Sequence, residues 1–175
     1  KMVNDYTLVD ATVHLELNSI GKATLKFNAG NTNKQTFDES DADLFKPGNA
    51  IRLEVGDIEK ENILFDGMII GLRIITDKDF HSYMLVECRD HAYSATQGRK
   101  NRIFEKKKDC DIIKEVLSAY GSVEVDSTPY QYPTLVQYYC SDWDFALSRA
   151  DANGLFIFTD GGKIKVKKPD VSTSP

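Results

Sequence analysis

The stretch Ile63-Leu64-Phe65-Asp66-Gly67-Met68-Ile69-Ile70-Gly71-Leu72-Arg73-Ile74-Ile75 is apolar nearly throughout. It is shorter than the roughly 18 residues that span a bilayer, yet too long for one flat strand. Gly67 and Gly71 are therefore expected to mark bends or bulges that curl a sheet. Upstream, after a Pro47-Gly48 turn, Ile51, Leu53 and Val55 alternate with Arg52 and Glu54, and a polar loop from Gly56 to Asn62 follows. Downstream, Asp77-Lys78-Asp79 turns the chain into a strand from Tyr83 to Arg89, with Met84, Val86 and Cys88 on one side. Near the N-terminus, Val9, Ala11, Val13, Leu15 and Leu17 alternate with polar residues as in a half-buried strand. Past Ser19-Ile20-Gly21, Ala23, Leu25 and Phe27 complete an antiparallel hairpin, and a polar loop occupies Gly30 to Gln35. These strands predict a five- or six-stranded antiparallel sheet bent toward a small barrel.

The period changes from 2 to 3.6 between Asp90 and Asp109. Asp109 stands as an acidic cap before Ile112, Ile113, Val116, Leu117 and Tyr120, and Gly121 is the expected stop of a first helix. Ser141 with Asp144 forms a capping-box-like start; Trp143, Ala146, Leu147 and Ala150 then lie on one helical face before Asn153-Gly154. Leu155 to Phe158 and Lys163 to Lys167 flank Thr159-Asp160-Gly161-Gly162 as a closing hairpin. The fold class is therefore α+β. Its expected parts are an antiparallel β-barrel-like domain over residues 1–98 and a small α+β domain over 99–170, with two helices and a C-terminal hairpin. Residues 171–175 form a tail or linker.

Composition is that of an ordinary globular protein, 41% hydrophobic and 28% charged, so disorder and fibrous folds are excluded. The 22 basic and 27 acidic residues give a net charge of -5, which disfavours a dedicated nucleic-acid binder. Cys88, Cys110 and Cys140 are too few and odd in number for a disulfide framework. The first residues lack a signal-peptide layout, so ordinary secretion is not expected.

The sequence has no nucleophile elbow, phosphate loop, dinucleotide fingerprint or zincin motif. Asp142 and Asp144 are paired acids, but a first helical turn favours acids for structural reasons. Cys88 and His91 could be half of a zinc site with no second pair to complete it, and a Cys140 nucleophile is outweighed by a buried thiol. The run Asp38-Glu39-Ser40-Asp41-Ala42-Asp43 lacks the glycine and distal glutamate of a calcium loop. No catalytic, cofactor or metal residues are expected. Arg99, Lys100 and Arg102, with Lys106, Lys107 and Lys108, form a basic cluster that either meets an anionic partner or flanks a buried Ile103-Phe104 anchor.

Four motifs occur in close order: Leu64 to Ile69, Tyr83 to Cys88, Asn101-Arg102-Ile103-Phe104, and Asp111 to Leu117. Gln137 to Phe145, Ala152 to Phe156 and the Asp160-Gly161-Gly162 hairpin continue the series. In this order they resemble the hub region of the VgrG family, the spike proteins of type VI secretion. That family is similar to phage late-control D proteins and tail baseplate hubs. The resemblance covers about residues 60 to 168 and rests on Phe65, Gly67, Arg102, Ile103, Phe104, Asp111, Ile112, Ser141, Asp142, Trp143, Phe145 and Gly154 as family-motif scaffold.

What the resemblance implies is structural, not enzymatic. Full-length hubs form trimers that join a hexameric inner-tube protein to the spike and carry spike-tip or effector proteins. They assemble in the bacterial cytoplasm and leave the cell with the injection machine. On this reading the 175 residues are the front part of a larger hub, and alone they are expected to be monomeric or weakly associating. A phage tail baseplate hub is the alternative. From another class, a soluble module binding an anionic partner or nucleic acid through residues 99–108 remains a reading, as does a hydrolase with an unrecognised site.

Overall fold

A computed structural model describes residues 7–28, 43–56, 62–79 and 81–170. The polar loop at 30–35, most of the acidic run at 38–43, most of the loop at 56–62 and the tail at 171–175 lie outside the described residues. The chain divides into two compact units, residues 1–14 with 21–90, and residues 15–20 with 91–175.

The first unit holds β1 (Leu8–His14), β2 (Lys22–Asn28), β3 (Ala50–Val55), β4 (Asn62–Thr76) and β5 (Ser82–Asp90) in the order β1-β2-β5-β4-β3, antiparallel throughout. It is a curled half-barrel: β1 and β3 are its two edges and do not pair with each other. Period-2 alternation puts Ala23, Leu25 and Phe27 of β2 with Met84, Val86 and Cys88 of β5, and Phe65 and Ile69 of β4 join them. Phe45, from a single 3-10 turn, closes this core with its ring 5.1 Å from that of Phe27. The Asp77 carboxylate accepts from the backbone N–H groups of Asp79 and His81, 2.9 Å each, and so forms the β4–β5 turn.

Two sequence expectations change here. β1 is exposed except at Val13, because an edge strand has one neighbour and nothing among the described residues covers its apolar face. Leu15 and Leu17 are not on it at all. They belong to the segment 15–20 of the second unit, where Asn18, at φ 60°, exchanges hydrogen bonds with the Ile157 backbone. Of the two glycines in β4, Gly71 borders the bulge, where the register with β5 shifts after Ile69. Gly67 has a different reason: a Cβ there would collide with the Arg89 carbonyl oxygen and come within 2.9 Å of the Phe65 ring. Close strand approach demands it, not a bend.

The second unit contains β6 (Lys100–Lys108), α1 (Asp109–Leu117), β7 (Ser122–Val125), β8 (Gln131–Cys140), α2 (Asp142–Asp151), β9 (Phe156–Asp160) and β10 (Lys163–Lys167). β7, β10 and β9 make one sheet, with β7 parallel and β9 antiparallel to β10; β6 and β8 make a separate antiparallel ribbon. Gly161 and Gly162, both at positive φ, form the tight turn that the β9–β10 hairpin needs. Helix α1 sits between two cores. Its Ile113 and Leu117 pack with Trp143, Ala146, Ala150, Ile157 and Ile164, while Ile112 and Val116 pack with Phe104 and Phe145. The two i, i+4 pairs lie on adjoining stripes of one helix, so a single short element seals both clusters.

Candidate functional site

Two acids at helix starts are drawn inside the second unit. Asp109 opens α1 and is buried; the residue capping the helix is Lys108, whose side chain makes no cap bond. Asp109 is thus not a solvent-facing cap. Arg149 of α2 donates to it through Nε at 2.6 Å and Nη2 at 3.1 Å, and Asn153 donates at 2.8 Å. Arg149 also reaches the Tyr132 hydroxyl at 2.8 Å. Burial acts to raise the Asp109 pKa, but these hydrogen bonds and the Arg149 charge outweigh it and hold the carboxyl below its usual range.

Asp142 opens α2 and its side chain is fully buried. Lys100 donates to its Oδ2 at 2.6 Å, Tyr120 at 2.7 Å and Arg102 at 3.3 Å; Gln137 donates to Oδ1 at 2.9 Å. Here too burial pushes upward, and the donors Gln137, Lys100 and Tyr120 with the Arg102 charge bring the pKa below the usual carboxylate range. Gln137 Oε1 is buried without a partner among the described residues, the consequence of aiming its amide nitrogen at Asp142. Ser141, just before, accepts from the Asp144 backbone N–H at 3.1 Å and donates to the Asp144 carboxylate at 2.6 Å, a working N-cap.

The outer side of the β6–β8 ribbon is different. Cross-strand partners Ile103 and Val136 are 69% and 49% exposed, and Tyr138 is 81% exposed. Alternation along the ribbon is broken twice. Phe104 and Lys107, three apart, both take the covered side, as do Tyr132 and Leu135 opposite them; Lys106 between them is at φ 51°. At the other end the register shifts, so that Tyr138 and Tyr139 together face the single residue Asn101. Tyr139 is at φ 46°, held by its N–H donating to the Asn101 side chain at 2.8 Å, and both tyrosines are exposed. The Arg99 guanidinium lies 4.8 Å from the Tyr139 ring centre. Beside them is an open depression of about 530 Å³ lined by Thr96, Gly98, Arg99, Tyr139, Cys140, Ser141 and Asp144.

The basic cluster is therefore divided. Lys100 and Arg102 turn inward to Asp142, and Lys107 pairs with Glu115 of α1. Arg99, Lys106 and Lys108 are exposed and make no ion pair with the described residues. Among the scaffold residues, Phe65 lies in the first unit's core, while Phe104, Ile112, Trp143 and Phe145 are core in the second; the Phe104 and Phe145 rings stack at 5.7 Å. Asp111 is exposed in the first turn of α1, and Gly154, at φ 64°, follows α2. The expected Ile103-Phe104 anchor is corrected. Only Phe104 is buried, because neighbours on a strand face opposite ways. Tyr120, Gln137, Arg149 and Asn153 were not legible as site residues, because each meets its acid across elements and no local spacing links them to it.

Cys88 is buried in the first unit's core, and burial pushes its thiol up to about 12. No group of three or more His, Cys, Asp or Glu side chains among the described residues is placed to hold a metal ion. No helix of the described residues is long and apolar enough to cross a membrane.

The family model described as the Alg8 N-terminal domain matches residues 1–175. No curated protein matches the sequence. Among solved structures, the chain is similar to the Escherichia coli c3393 protein, a component of the type VI secretion system with structural similarity to the T4 bacteriophage tail proteins gp27 and gp5. That likeness has a TM-score of 0.69 at 13% identity, over 97% of this chain and 48% of the other. It is also similar to the 43 kDa tail protein of prophage MuSo2 from Shewanella oneidensis (TM-score 0.66, 10% identity, 94% of this chain and 55% of the other). A tail protein from Neisseria meningitidis MC58 gives a TM-score of 0.59 at 13% identity over 94% of this chain and 47% of that one. The fold is thus that of phage-tail and type VI secretion proteins, and the chain spans about half the length of these structures.

Proposed function

The chain belongs to the Alg8 N-terminal domain family, a description that names no tail or secretion role; from its fold, not from that family, we propose that it is the N-terminal hub part of a VgrG-like spike in a contractile injection machine. The fold shared with a type VI secretion component over 97% of the chain is the observation that carries this reading. The full-length protein trimerises, joins the inner tube to the spike, and bears spike-tip or effector proteins. It is assembled in the cytoplasm and delivered out of the cell with the machine. The role is structural. In support, the two buried carboxylates are locked by cations and held ionised, which suits positioning better than proton transfer. The buried Cys88 thiol is likewise unsuited to nucleophilic work.

A phage tail hub is the second reading, favoured by the two tail-protein structures. Deleting the gene and imaging sheathed particles in cell extracts tests both readings together. Particles lacking a spike, or no particles, are expected; normal particles that still carry a spike would overturn the proposal. Genomic neighbours then separate the two, with sheath, tube and ATPase genes for an injection machine, and capsid and terminase genes for a phage.

A further inference from the structure

The outer face of the β6–β8 ribbon combines three features that a merely solvated ribbon does not need. It presents an apolar pair, Ile103 and Val136, flanked by Tyr138 and Tyr139. Two of the three described non-glycine residues at positive φ, Lys106 and Tyr139, lie on this ribbon, one toward each end of the apolar pair. Such backbone costs about 1 to 3 kcal/mol per residue and persists where the surrounding structure demands it. Here its effect is visible: the irregularity at Tyr139 turns two consecutive tyrosines outward, and the one at Lys106 lets Lys107 reach Glu115 while Lys106 stays exposed. Finally, β6 and β8 pair only with each other among the described strands, so each keeps an open edge.

We propose that this face docks a protein partner other than this chain, offering an extended segment with apolar residues at its centre and acidic residues along its margin. Charge decides the occupant. The inward cations are already neutralised by Asp142 and Glu115, whereas Arg99, Lys106 and Lys108 are exposed, with the acids Glu105 between them and Asp144 in the depression beside Arg99, so the excess positive charge lies at the Lys106–Lys108 end. Two copies of this face meeting would set lysine against lysine, the arrangement by which natural sheet edges avoid pairing with themselves. An acidic segment meets no such penalty. It would add along an edge by main-chain hydrogen bonds, set its apolar side chains on Ile103, Val136 and Tyr138, and place its acids against the lysines.

The proposal rests on the assembly reading only for the class of partner, a protein. Its test is separate: fluorescence-anisotropy titration of the whole chain with an eight-residue peptide of four central Val flanked on each side by two Glu (the Glu-Val peptide), against one flanked by two Lys on each side (the Lys-Val peptide). The Glu-Val peptide should bind, the Lys-Val peptide should not, and affinity should fall as salt rises. Lys106→Glu with Lys108→Glu should reverse the preference, and Tyr138→Ser should weaken binding by about 30-fold, as loss of a central aromatic anchor does. Lys106 and Tyr138 are exposed, so their replacement should leave the unfolding curve unchanged, and an acid at Lys108, the N-cap of α1, should not lower it. Equal binding of both peptides, binding of neither, or variants without effect would overturn the proposal. So would self-association by sedimentation that Ile103→Ser abolishes. A failed titration removes the docking face and leaves the tail reading to the particle experiment.

Discussion

The two units solve the same problem, fixing a small β-rich core, by opposite means. The first unit relies on alternation: its apolar core is Ala23, Leu25, Phe27, Phe45, Phe65, Ile69, Met84, Val86 and Cys88, and its buried acid, Asp90, stands at the end of β5 and not within that cluster. The second splits its apolar residues between two clusters and draws Asp109 and Asp142 inside with their cations. Net charge follows the same division. The 10 basic and 15 acidic side chains of the first unit leave it with the whole -5, while the 12 and 12 of the second cancel. A sheet fixes its own register once one face is buried. Two short helices and two small sheets have no such rule, and a charge that must find one partner can select one arrangement.

The sharpest way to break this contrast is to remove a cation. Arg149→Leu leaves Asp109 buried without its bidentate partner and should destabilise the second unit by about 3 to 5 kcal/mol. Trp143, the chain's one tryptophan, lies in that unit's core and reports its unfolding by fluorescence. Adding Asp109→Leu should recover much of the loss, because an apolar pair carries no desolvation cost. A single variant as stable as the parent would show that Asp109 does not need its cation.

Next in size, Gly67→Ala tests whether the first unit depends on close strand packing in place of charge. Its Cβ meets the Arg89 backbone, which cannot swing aside as a side chain could. Overpacking of this kind costs about 1 to 3 kcal/mol. Hydrogen exchange should locate the loss in β4 and β5, with Trp143 fluorescence unmoved. A change in that fluorescence equal to the change in exchange would break the division into two units.

This division also explains what the sequence disclosed. The strands of the first unit were legible because inward positions are apolar, as in Met84, Val86 and Cys88; β1 misled because, Val13 apart, its apolar residues are exposed. Both helices were legible from their caps and spacing. β6 and β8 were not recognised as strands. Their inward positions mix Phe104 and Leu135 with Arg102, Lys107 and Gln137, which serve Asp142 and Glu115, while Ile103 and Val136 point out, so no clean alternation of apolar and polar residues is left to read. The site was hidden for a related reason. Asp142 carries the ordinary signature of a helix-start acid, and its donors come from as far as Lys100, through pairings that no local pattern encodes.

Acid should separate the units with a smaller effect. Asp109 and Asp142, both buried, have depressed folded-state pKa values; Asp126 of the same unit and the turn acid Asp77 of the first unit are also lowered, chiefly by backbone N–H groups, but are more open to solvent. The contribution of Asp109 and Asp142 is therefore fully present above the unfolded-state value of about 3.9, and it is lost as pH falls through the folded values. Below about pH 4 the second unit should lose stability, read as a falling Tm by Trp143 fluorescence, and Asp142→Asn should flatten that slope. A slope unchanged in that variant would place the acid sensitivity elsewhere.

The smallest effects should come from exposed ion pairs, and they should be alike in both units. Arg73 pairs with Glu87 across β4 and β5 of the first unit, and Lys107 pairs with Glu115 in the second; all four side chains are at least a third exposed. Exposed pairs contribute about 0.2 to 1 kcal/mol and are screened by salt. Arg73→Gln and Lys107→Gln should each shift Tm slightly at low salt and not at high salt. If Lys107→Gln cost as much as Arg149→Leu, burial would not be what sets the second unit apart, since both variants remove one cation from one carboxylate. The contrast between the units lies in where the charge sits, and this pair of substitutions removes one cation in each case, from a buried bidentate pair in one and from an exposed single contact in the other.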